Sequence, residues 1–149
     1  MNRILIVRLS ALGDIVHALP VLAAVRRAWP AARVDWIVDE AYASILSLAE
    51  GLHRRVIVRA ATSAKVAADE RLDPKGLPHP ETISFGGAAG YFKAVRYLRA
   101  QRYEAALDLQ GLLKSAVWAR MSGAARVIGF DRAHLREPFS AGAGILRPS

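Results

Sequence analysis

The residues that most suggest chemistry lie in the stretch RLSALGD, from Arg8 to Asp14, which follows the first apolar run. Asp14 stands where a helix would begin, and an aspartate there has two interpretations. It can stabilise the helix as a cap or first-turn acid, an effect of about 0.5–2 kcal/mol. It can also be a catalytic carboxylate that faces a cleft. Position alone leaves both interpretations open.

A second polar group occurs in the stretch DLQGLLKSAVWAR, which begins at Asp108. Asp108 and Gln110 lie at the end of an apolar run, and Lys114 lies in the first turn of a predicted helix. A cation in that turn opposes the helix dipole. Lys114 is therefore either a surface lysine whose stem lies along apolar neighbours or a residue placed for binding.

The common nucleotide and metal motifs are absent from the sequence. There is no G-x-G-x-x-G and no G-x-x-x-x-G-K-[ST], because QGLLKS has the wrong spacing. The four histidines, at positions 17, 53, 79 and 134, lack the spacing of a metal site, and the chain has no cysteine. We therefore predict no standard NAD or P-loop chemistry, no bound metal and no disulfide framework.

Arginine dominates the charge of the chain. The formal net charge is +8, and 17 of the 21 basic residues are arginine. Guanidinium groups suit phosphate or carboxylate partners. The excess of arginine can equally reflect the general amino-acid composition of an alanine- and arginine-rich genome. Lys93, Arg96 and Arg99 recur along one predicted helix, either as a solvated face or beside an anionic bilayer, where each charge adds about 1 kcal/mol. No basic patch, zinc pattern or basic zipper points to nucleic acid.

Apolar periodicity predicts an α/β fold in which strands and helices alternate. Predicted strands cover 4–7, 34–38, 55–58, 105–109 and 126–130, and predicted helices cover 14–29, 40–49, 88–102 and 112–121. The stretch 60–87, with three prolines, is predicted to be a long surface excursion. The alternation implies a single Rossmann-like domain, with a mostly parallel sheet flanked by helices. Ligands bind such sheets beyond the carboxyl ends of the strands, where Asp14 and Gln110 are expected.

The N-terminus does not have the pattern of a leader or a membrane anchor. Arg8, Asp14 and His17 interrupt the apolar residues that follow Arg3. No stretch approaches the roughly 18 apolar residues of a membrane span. We predict a cytoplasmic protein.

Four segments together resemble the ADP-heptose:lipopolysaccharide heptosyltransferase family. They are ILIVRLSALGDIVHALP at 4–20, VDWIVDEAYASI at 34–45, ALDLQGLLKSA at 106–116 and GFDRAHLREPFSA at 129–141. The LREP and VDWIVDE segments are similar to the members that transfer the first heptose. The resemblance covers most of the chain apart from the 60–87 excursion and the last few residues.

This resemblance implies a GT-B glycosyltransferase, in which two Rossmann-like domains face each other across a cleft. The N-terminal domain would receive the acceptor, Kdo2-lipid A, and the C-terminal domain would hold the donor, ADP-L-glycero-β-D-manno-heptose. Transfer of heptose to Kdo would proceed with inversion and without a metal or other cofactor. The implied location is the cytoplasmic face of the inner membrane, in peripheral contact with it.

The resemblance also implies a role for Asp14, the aspartate of an S-x-x-G-D motif that contains Ser10 and Gly13. In the family this aspartate is the general base, and the two neighbours are predicted to bind substrate. Inversion in one displacement needs a base on the acceptor face, while ADP leaves from the other face. The helix dipole would keep the carboxylate ionised, and its charge would favour positive charge on the heptose ring. The cap and base interpretations are compatible.

The remaining site residues likewise follow from the resemblance. Arg136 corresponds to an arginine that contacts the anionic acceptor, and a guanidinium suits a Kdo carboxylate or a lipid A phosphate. Gln110 and Lys114 lie in a family motif on the cleft side and are predicted to bind substrate. Glu137 either orients Arg136 or faces water.

The chain departs from the family pattern at two places. It stops at Ser149, so we expect the donor-binding half to be absent and these residues alone to be inactive, because transfer needs both substrates held together. The basic residues expected after the third strand are dispersed, at Arg59, Lys65, Arg71 and Lys75. Two alternatives stay open: a related heptosyltransferase that acts on a heptosylated core, and a non-enzymatic basic module that binds polyanions or membranes.

Overall fold

The framework of the molecule is a sheet in which every pair of neighbouring strands is parallel. The structure, a computed structural model, describes residues 1–59, 80–129 and 144–145. The strands are β1 Arg3–Val7, β2 Arg33–Asp39, β3 Arg54–Val58, β4 Glu81–Phe85, β5 Ala105–Asp108, β6 Arg126–Gly129 and β7 Gly144–Ile145. The helices are α1 Leu12–Ala28, α2 Gly90–Gln101 and α3 Leu113–Met121, and a 3-10 helix spans Glu40–Leu48. The order across the sheet is β4-β3-β2-β1-β5-β6-β7.

Strand β1 lies at the centre of the sheet because both of its faces are apolar. Ile4 and Ile6 belong to the core cluster that includes residues of α1 and the 3-10 helix. Leu5 and Val7 belong to the opposite cluster, with residues of α2 and α3. A strand covered on both faces appears in the sequence as a continuous apolar run, which is why β1 was predictable.

The carboxyl ends of the three central strands meet at one edge. Val7 of β1 is in register with Ile37 of β2 and with Asp108 of β5. The loops that follow β1 and β5 therefore lie side by side, although about 100 residues separate them along the chain. This edge, called the carboxyl edge below, is where the sequence predicts the site.

The predicted α/β class and parallel sheet are confirmed, but three details of the sequence prediction are wrong. The stretch 60–87 is not wholly an excursion, because residues 81–85 form β4, which pairs with β3. The segment 40–49 is a 3-10 helix and not an α-helix; its buried residues Ala43 and Leu46 are three apart, the period of that helix. The two-residue strand β7 was not predicted.

A buried polar pair lies at the opposite, amino edge of the sheet. Asp35 is only 3% exposed, and its Oδ2 accepts a 2.6 Å hydrogen bond from the Tyr103 hydroxyl. Burial raises the pKa of Asp35 and, together with the neighbouring carboxylate, that of Tyr103. Asp35 Oδ1 and His53 Nε2 are buried with no hydrogen-bond partner among the described residues. The amino edge thus combines a buried hydrogen bond with polar atoms that lack a partner among the described residues.

Among the described helices, none combines the length and the apolar character needed to cross a bilayer.

Candidate active site at the carboxyl edge

Asp14 lies in the first turn of α1 but does not cap it. The helix begins at Leu12, and the preceding residue, Ala11, makes no side-chain hydrogen bond that would cap it. The Asp14 carboxylate instead forms an ion pair through Oδ2 with Nη2 of Arg8, and 40% of its side chain is exposed. Asp14 is therefore a first-turn acid with a charged partner and with solvent access, as a reactive carboxylate requires.

Arg8 is the buried cation that holds this carboxylate. Its side chain is 10% exposed, and Nη1 donates a hydrogen bond to the backbone carbonyl of Leu109, at the end of β5. Its own backbone carbonyl accepts a 3.0 Å hydrogen bond from Trp36 Nε1. Because Arg8 is anchored to both neighbouring strands, the position of Asp14 is coupled to the ends of β2 and β5.

Gln110 joins the β1–α1 loop to the β5–α3 loop. Its Oε1 accepts a 2.9 Å hydrogen bond from the Leu9 backbone N–H, and its Nε2 lies 3.3 Å from Ser10 Oγ. Asp108 Oδ1 accepts hydrogen bonds from the backbone N–H groups of Gln110 and Gly111, which shapes the second loop. The structure thus brings Ser10 and Gln110 together, with the Gln110 amide used as a bridge between loops.

Lys114 lies at the same edge, near the end of β2. Its Nζ is 3.5 Å from Asp39 Oδ2, and 52% of its side chain is exposed. Asp39 Oδ1 also accepts a 3.2 Å hydrogen bond from the Ala41 backbone N–H at the start of the 3-10 helix. The distance and the exposure make Lys114 a loosely paired cation that can turn towards a ligand.

Arg59 follows β3 and is paired much more tightly. Its Nε and Nη2 donate to the two carboxylate oxygens of Glu40, a bidentate arrangement. These hydrogen bonds raise the pKa of Arg59. Of the dispersed basic residues after the third strand, Arg59 therefore lies at the carboxyl edge, and the others fall outside the described residues.

The glycine of the S-x-x-G-D motif leaves room beside Asp14. A Cβ atom added at Gly13 would meet no heavy atom within 4 Å. Local packing therefore does not require glycine at this position. Open space next to a half-exposed carboxylate is what the approach of a substrate needs.

A mainly apolar cleft of about 470 Å³ opens beside Lys114. Its wall includes side chains from the ends of β3 and β4 and from the first two turns of α2 and α3. Tyr91 and Trp118 face each other across the two helices, with ring centroids 4.9 Å apart. The charged residues among the described lining are Arg59 and Lys114.

The structure brings together five of the six predicted site residues at one edge of the sheet: Ser10, Gly13, Asp14, Gln110 and Lys114. The sixth, Arg136, lies outside the described residues, as does Glu137. No group of three or more potential metal ligands occurs within residues 1–59, 80–129 and 144–145.

The sequence prediction did not include Arg8 and Asp39, which form ion pairs with the predicted site residues Asp14 and Lys114. Both residues lie at the carboxyl end of a strand: Arg8 directly follows β1, and Asp39 is the last residue of β2. A charged residue that terminates an apolar run is the available signal. Their partners, Asp14 and Lys114, could not be assigned before the loops were placed side by side.

The chain is similar to known proteins in both sequence and structure. Residues 91–141 match the family model described as glycosyltransferase family 9 (heptosyltransferase). Lipopolysaccharide heptosyltransferase 1 of Pseudomonas aeruginosa is 34% identical over 139 residues, which are 93% of this chain and 35% of that protein. The enzyme of the same name from Escherichia coli K12 is 30% identical over 141 residues, 93% of this chain and 39% of that protein.

A solved structure agrees with these sequence matches. The E. coli heptosyltransferase WaaC with ADP-2-deoxy-2-fluoro heptose superposes with a TM-score of 0.69 and 29% identity, over 93% of this chain and 39% of that chain. The resemblance drawn from the sequence is thus confirmed: the chain is related to the heptosyltransferases of glycosyltransferase family 9, and it spans between 35% and 39% of the length of these relatives.

Proposed function

We propose that this chain is the acceptor-binding part of a heptosyltransferase that transfers heptose from ADP-heptose to Kdo2-lipid A. The observation that carries the proposal is the Arg8–Asp14 pair at the carboxyl edge. A half-exposed carboxylate in the matching S-x-x-G-D motif is held by a buried cation, and Gly13 leaves open space beside it. This arrangement suits a base that receives an acceptor hydroxyl.

The proposed chemistry is a single displacement with inversion. The acceptor hydroxyl oxygen forms a bond to the anomeric carbon of the heptose, the bond from that carbon to the ADP oxygen breaks, and ADP departs with the electron pair. Asp14 takes the hydroxyl proton. The Asp14 carboxylate, held in place by Arg8, would also stabilise positive charge on the heptose ring.

The acceptor would be recognised by its negative charge. Lys114 supplies a loosely paired cation, and Ser10 and Gln110 lie beside the loop that carries Asp14. Arg136, outside the described residues, is proposed to add a guanidinium for a Kdo carboxylate or a lipid A phosphate. We propose that this acceptor is met at the cytoplasmic face of the inner membrane, with peripheral contact between protein and bilayer.

We propose that, in the relatives, the donor binds the part of the protein that this chain does not match. WaaC was solved with an ADP-heptose analogue, and this chain covers 39% of it. Transfer needs donor and acceptor in one site. We therefore expect purified residues 1–149 to form no heptosylated product from ADP-heptose and acceptor, and formation of product would contradict this assignment of the two substrates.

The test of the acceptor proposal is a calorimetric titration of the chain with the deacylated Kdo2-lipid A headgroup at near-physiological salt. We expect saturable binding that is weakened by Lys114→Gln and by Arg136→Ala. Lys93→Gln, which removes an exposed cation from α2, is the matched control and should leave binding unchanged. Stronger binding of a headgroup that already carries heptose would favour a later core heptosyltransferase. Equal, steeply salt-dependent binding of any polyanion would favour a basic module without transferase function.

A further inference from the structure

Exposed apolar side chains concentrate at the carboxyl edge of the sheet. Of the seven large apolar residues that are well exposed within the described ranges, six lie in the first five residues of a helix that follows a strand, and Leu48 is the exception. The six are Leu12, Val16, Tyr91, Phe92, Leu113 and Val117. Apolar surface gathered around a candidate site, and not scattered over the molecule, indicates a binding function.

Part of this apolar surface is concave and forms the wall of the cleft between α2 and α3. Phe85, Tyr91, Val117 and Trp118 line the cleft, whose volume of about 470 Å³ is typical of a small-molecule site. A sugar needs several hydrogen-bonding groups that converge on it. Apart from Arg59, Lys114 and the Tyr91 hydroxyl, the side chains of the described wall are aromatic or aliphatic, which suits hydrocarbon.

The charges at the cleft favour a ligand with an anionic group. Arg59 is bound by both carboxylate oxygens of Glu40, so it is held in place. Lys114 is 3.5 Å from Asp39 and is half exposed, so its ammonium can leave Asp39 and meet a ligand anion. Among the described residues, the cleft thus combines an apolar wall with an available cation, Lys114, at its rim.

We propose that the cleft between α2 and α3 binds a hydrocarbon chain of an anionic amphiphile, whose negative headgroup meets Lys114. This assignment rests on the proposed function in one respect, since an acceptor built on a lipid supplies both parts. Through this subsite the protein would recognise the lipid portion of its ligand as well as the sugar, because the same lysine lies next to the apolar wall and near the loop of Gln110.

Dodecyl phosphate below its critical micelle concentration is the probe, with octyl phosphate and inorganic phosphate for comparison. We expect the dodecyl compound to bind more tightly than the octyl compound, by roughly threefold to fourfold for each additional methylene that is buried. Fluorescence of Trp118, which lines the cleft, should change on binding, and Trp118→Phe should remove that change while calorimetry still reports binding. Dodecyl maltoside, which has no charge, should bind at least about tenfold more weakly.

Two substitutions of the same kind separate the cleft from the general surface. Val117→Asp, at a residue 38% exposed in the cleft wall, should weaken dodecyl phosphate binding by about tenfold or more. Val16→Asp, at a residue 43% exposed in α1 and outside the cleft, should change it less than about twofold. Circular dichroism would establish that both variants are folded.

The proposal is overturned if inorganic phosphate and dodecyl phosphate bind equally, or if the two aspartate variants lose the same affinity. Its failure differs from failure of the proposed function. Binding of the deacylated headgroup without binding of dodecyl phosphate would leave the acceptor assignment standing and remove the hydrocarbon subsite. The opposite result would leave a lipid-binding cleft and remove the acceptor assignment.

Discussion

The two edges of the sheet each hold an aspartate, and their surroundings differ in solvent access and in the charge of the partner. Asp14 at the carboxyl edge is 40% exposed and is paired with Arg8. Asp35 at the amino edge is 3% exposed, and its hydrogen-bond partner is the neutral hydroxyl of Tyr103. Open space leaves the Asp14 carboxylate reachable, whereas burial disfavours the charge of Asp35 and raises its pKa. Asp14 is therefore accessible to a ligand, whereas Asp35 is part of the buried packing of the amino edge.

The apolar residues show the same contrast. At the carboxyl edge, the first turns of the helices leave apolar side chains exposed, and a cleft opens between α2 and α3. At the amino edge, Tyr103 is buried within the core cluster and Arg54 is covered by contacts to Glu81 and Gln101. The two edges of the same sheet therefore differ in how much apolar surface they leave exposed.

The largest stability effect is expected from Arg8→Ala. This change leaves the Leu109 carbonyl without its donor, removes the partner of Asp14 and opens a cavity at the centre of the edge. We expect a loss of about 2–4 kcal/mol in the free energy of unfolding, measured by urea denaturation. Arg96→Ala, at an exposed position of α2, is the matched control and should cost less than about 0.5 kcal/mol. Equal losses in the two variants would mean that Arg8 does not anchor the edge.

A smaller loss is expected from Tyr103→Phe at the amino edge. The substitution removes the donor to a buried carboxylate while it keeps the ring in the core, and an unsatisfied buried acceptor costs about 1–3 kcal/mol. The control is Tyr91→Phe, which removes a hydroxyl from a partly exposed ring and should change stability by less than about 0.5 kcal/mol. A Tyr103→Phe variant as stable as the parent chain would show that the Asp35 contact contributes nothing.

These predictions concern residues that the sequence identified to different degrees. The buried strands were predictable because Ile4 and Val7 belong to an unbroken apolar run. Strand β4 was missed because, among the described strands, it is at the end of the sheet beside β3, and none of its five residues is fully buried. Its alternation is weak, and Pro80 directly before it is typical of a loop.

The candidate site was predictable as an edge but not as a set of contacts. Parallel strands place the ends of β1 and β5 on one side, so the proximity of Ser10 and Gln110 could be expected in outline. The bridge from Gln110 to Leu9 requires β1 and β5 to be direct neighbours, and the strand order was not predictable from apolar runs. Arg8 was visible as a charge after a strand, but its contact with Leu109 depends on that same order.

The pH dependence of stability should reveal the buried aspartate at the amino edge. Burial raises the pKa of Asp35 above its ordinary value of 3.8. Between the two values the native state binds more protons than the unfolded chain, so the free energy of unfolding decreases as pH rises. The contribution is complete below 3.8 and is lost as pH passes the raised value. Glu81 gives the opposite slope, because its hydrogen bond from Arg54 lowers its pKa.

Asp35→Asn isolates this effect, measured by urea unfolding at a series of pH values above 3.8. The stability of the parent chain relative to this variant should decline with rising pH, because the substitution removes the carboxyl group whose pKa is raised by burial. If the Asp35→Asn comparison is flat, the buried carboxylate does not titrate in this window.

The smallest stability effect is expected from Lys114→Gln. Because the fold should hardly change, this variant can report on ligand binding alone. The ion pair with Asp39 spans 3.5 Å, and the lysine side chain is 52% exposed, so solvent screens most of the attraction. Lys114 also lies in the first turn of α3, where a cation opposes the helix dipole. We expect a change of less than about 0.5 kcal/mol in either direction. The same variant should clearly weaken binding of both the headgroup and dodecyl phosphate. Lys114 is thus expected to contribute to ligand binding and hardly to stability, whereas Tyr103 is expected to contribute to stability. A large stability loss in Lys114→Gln would instead show that this lysine is part of the structural contacts of the fold.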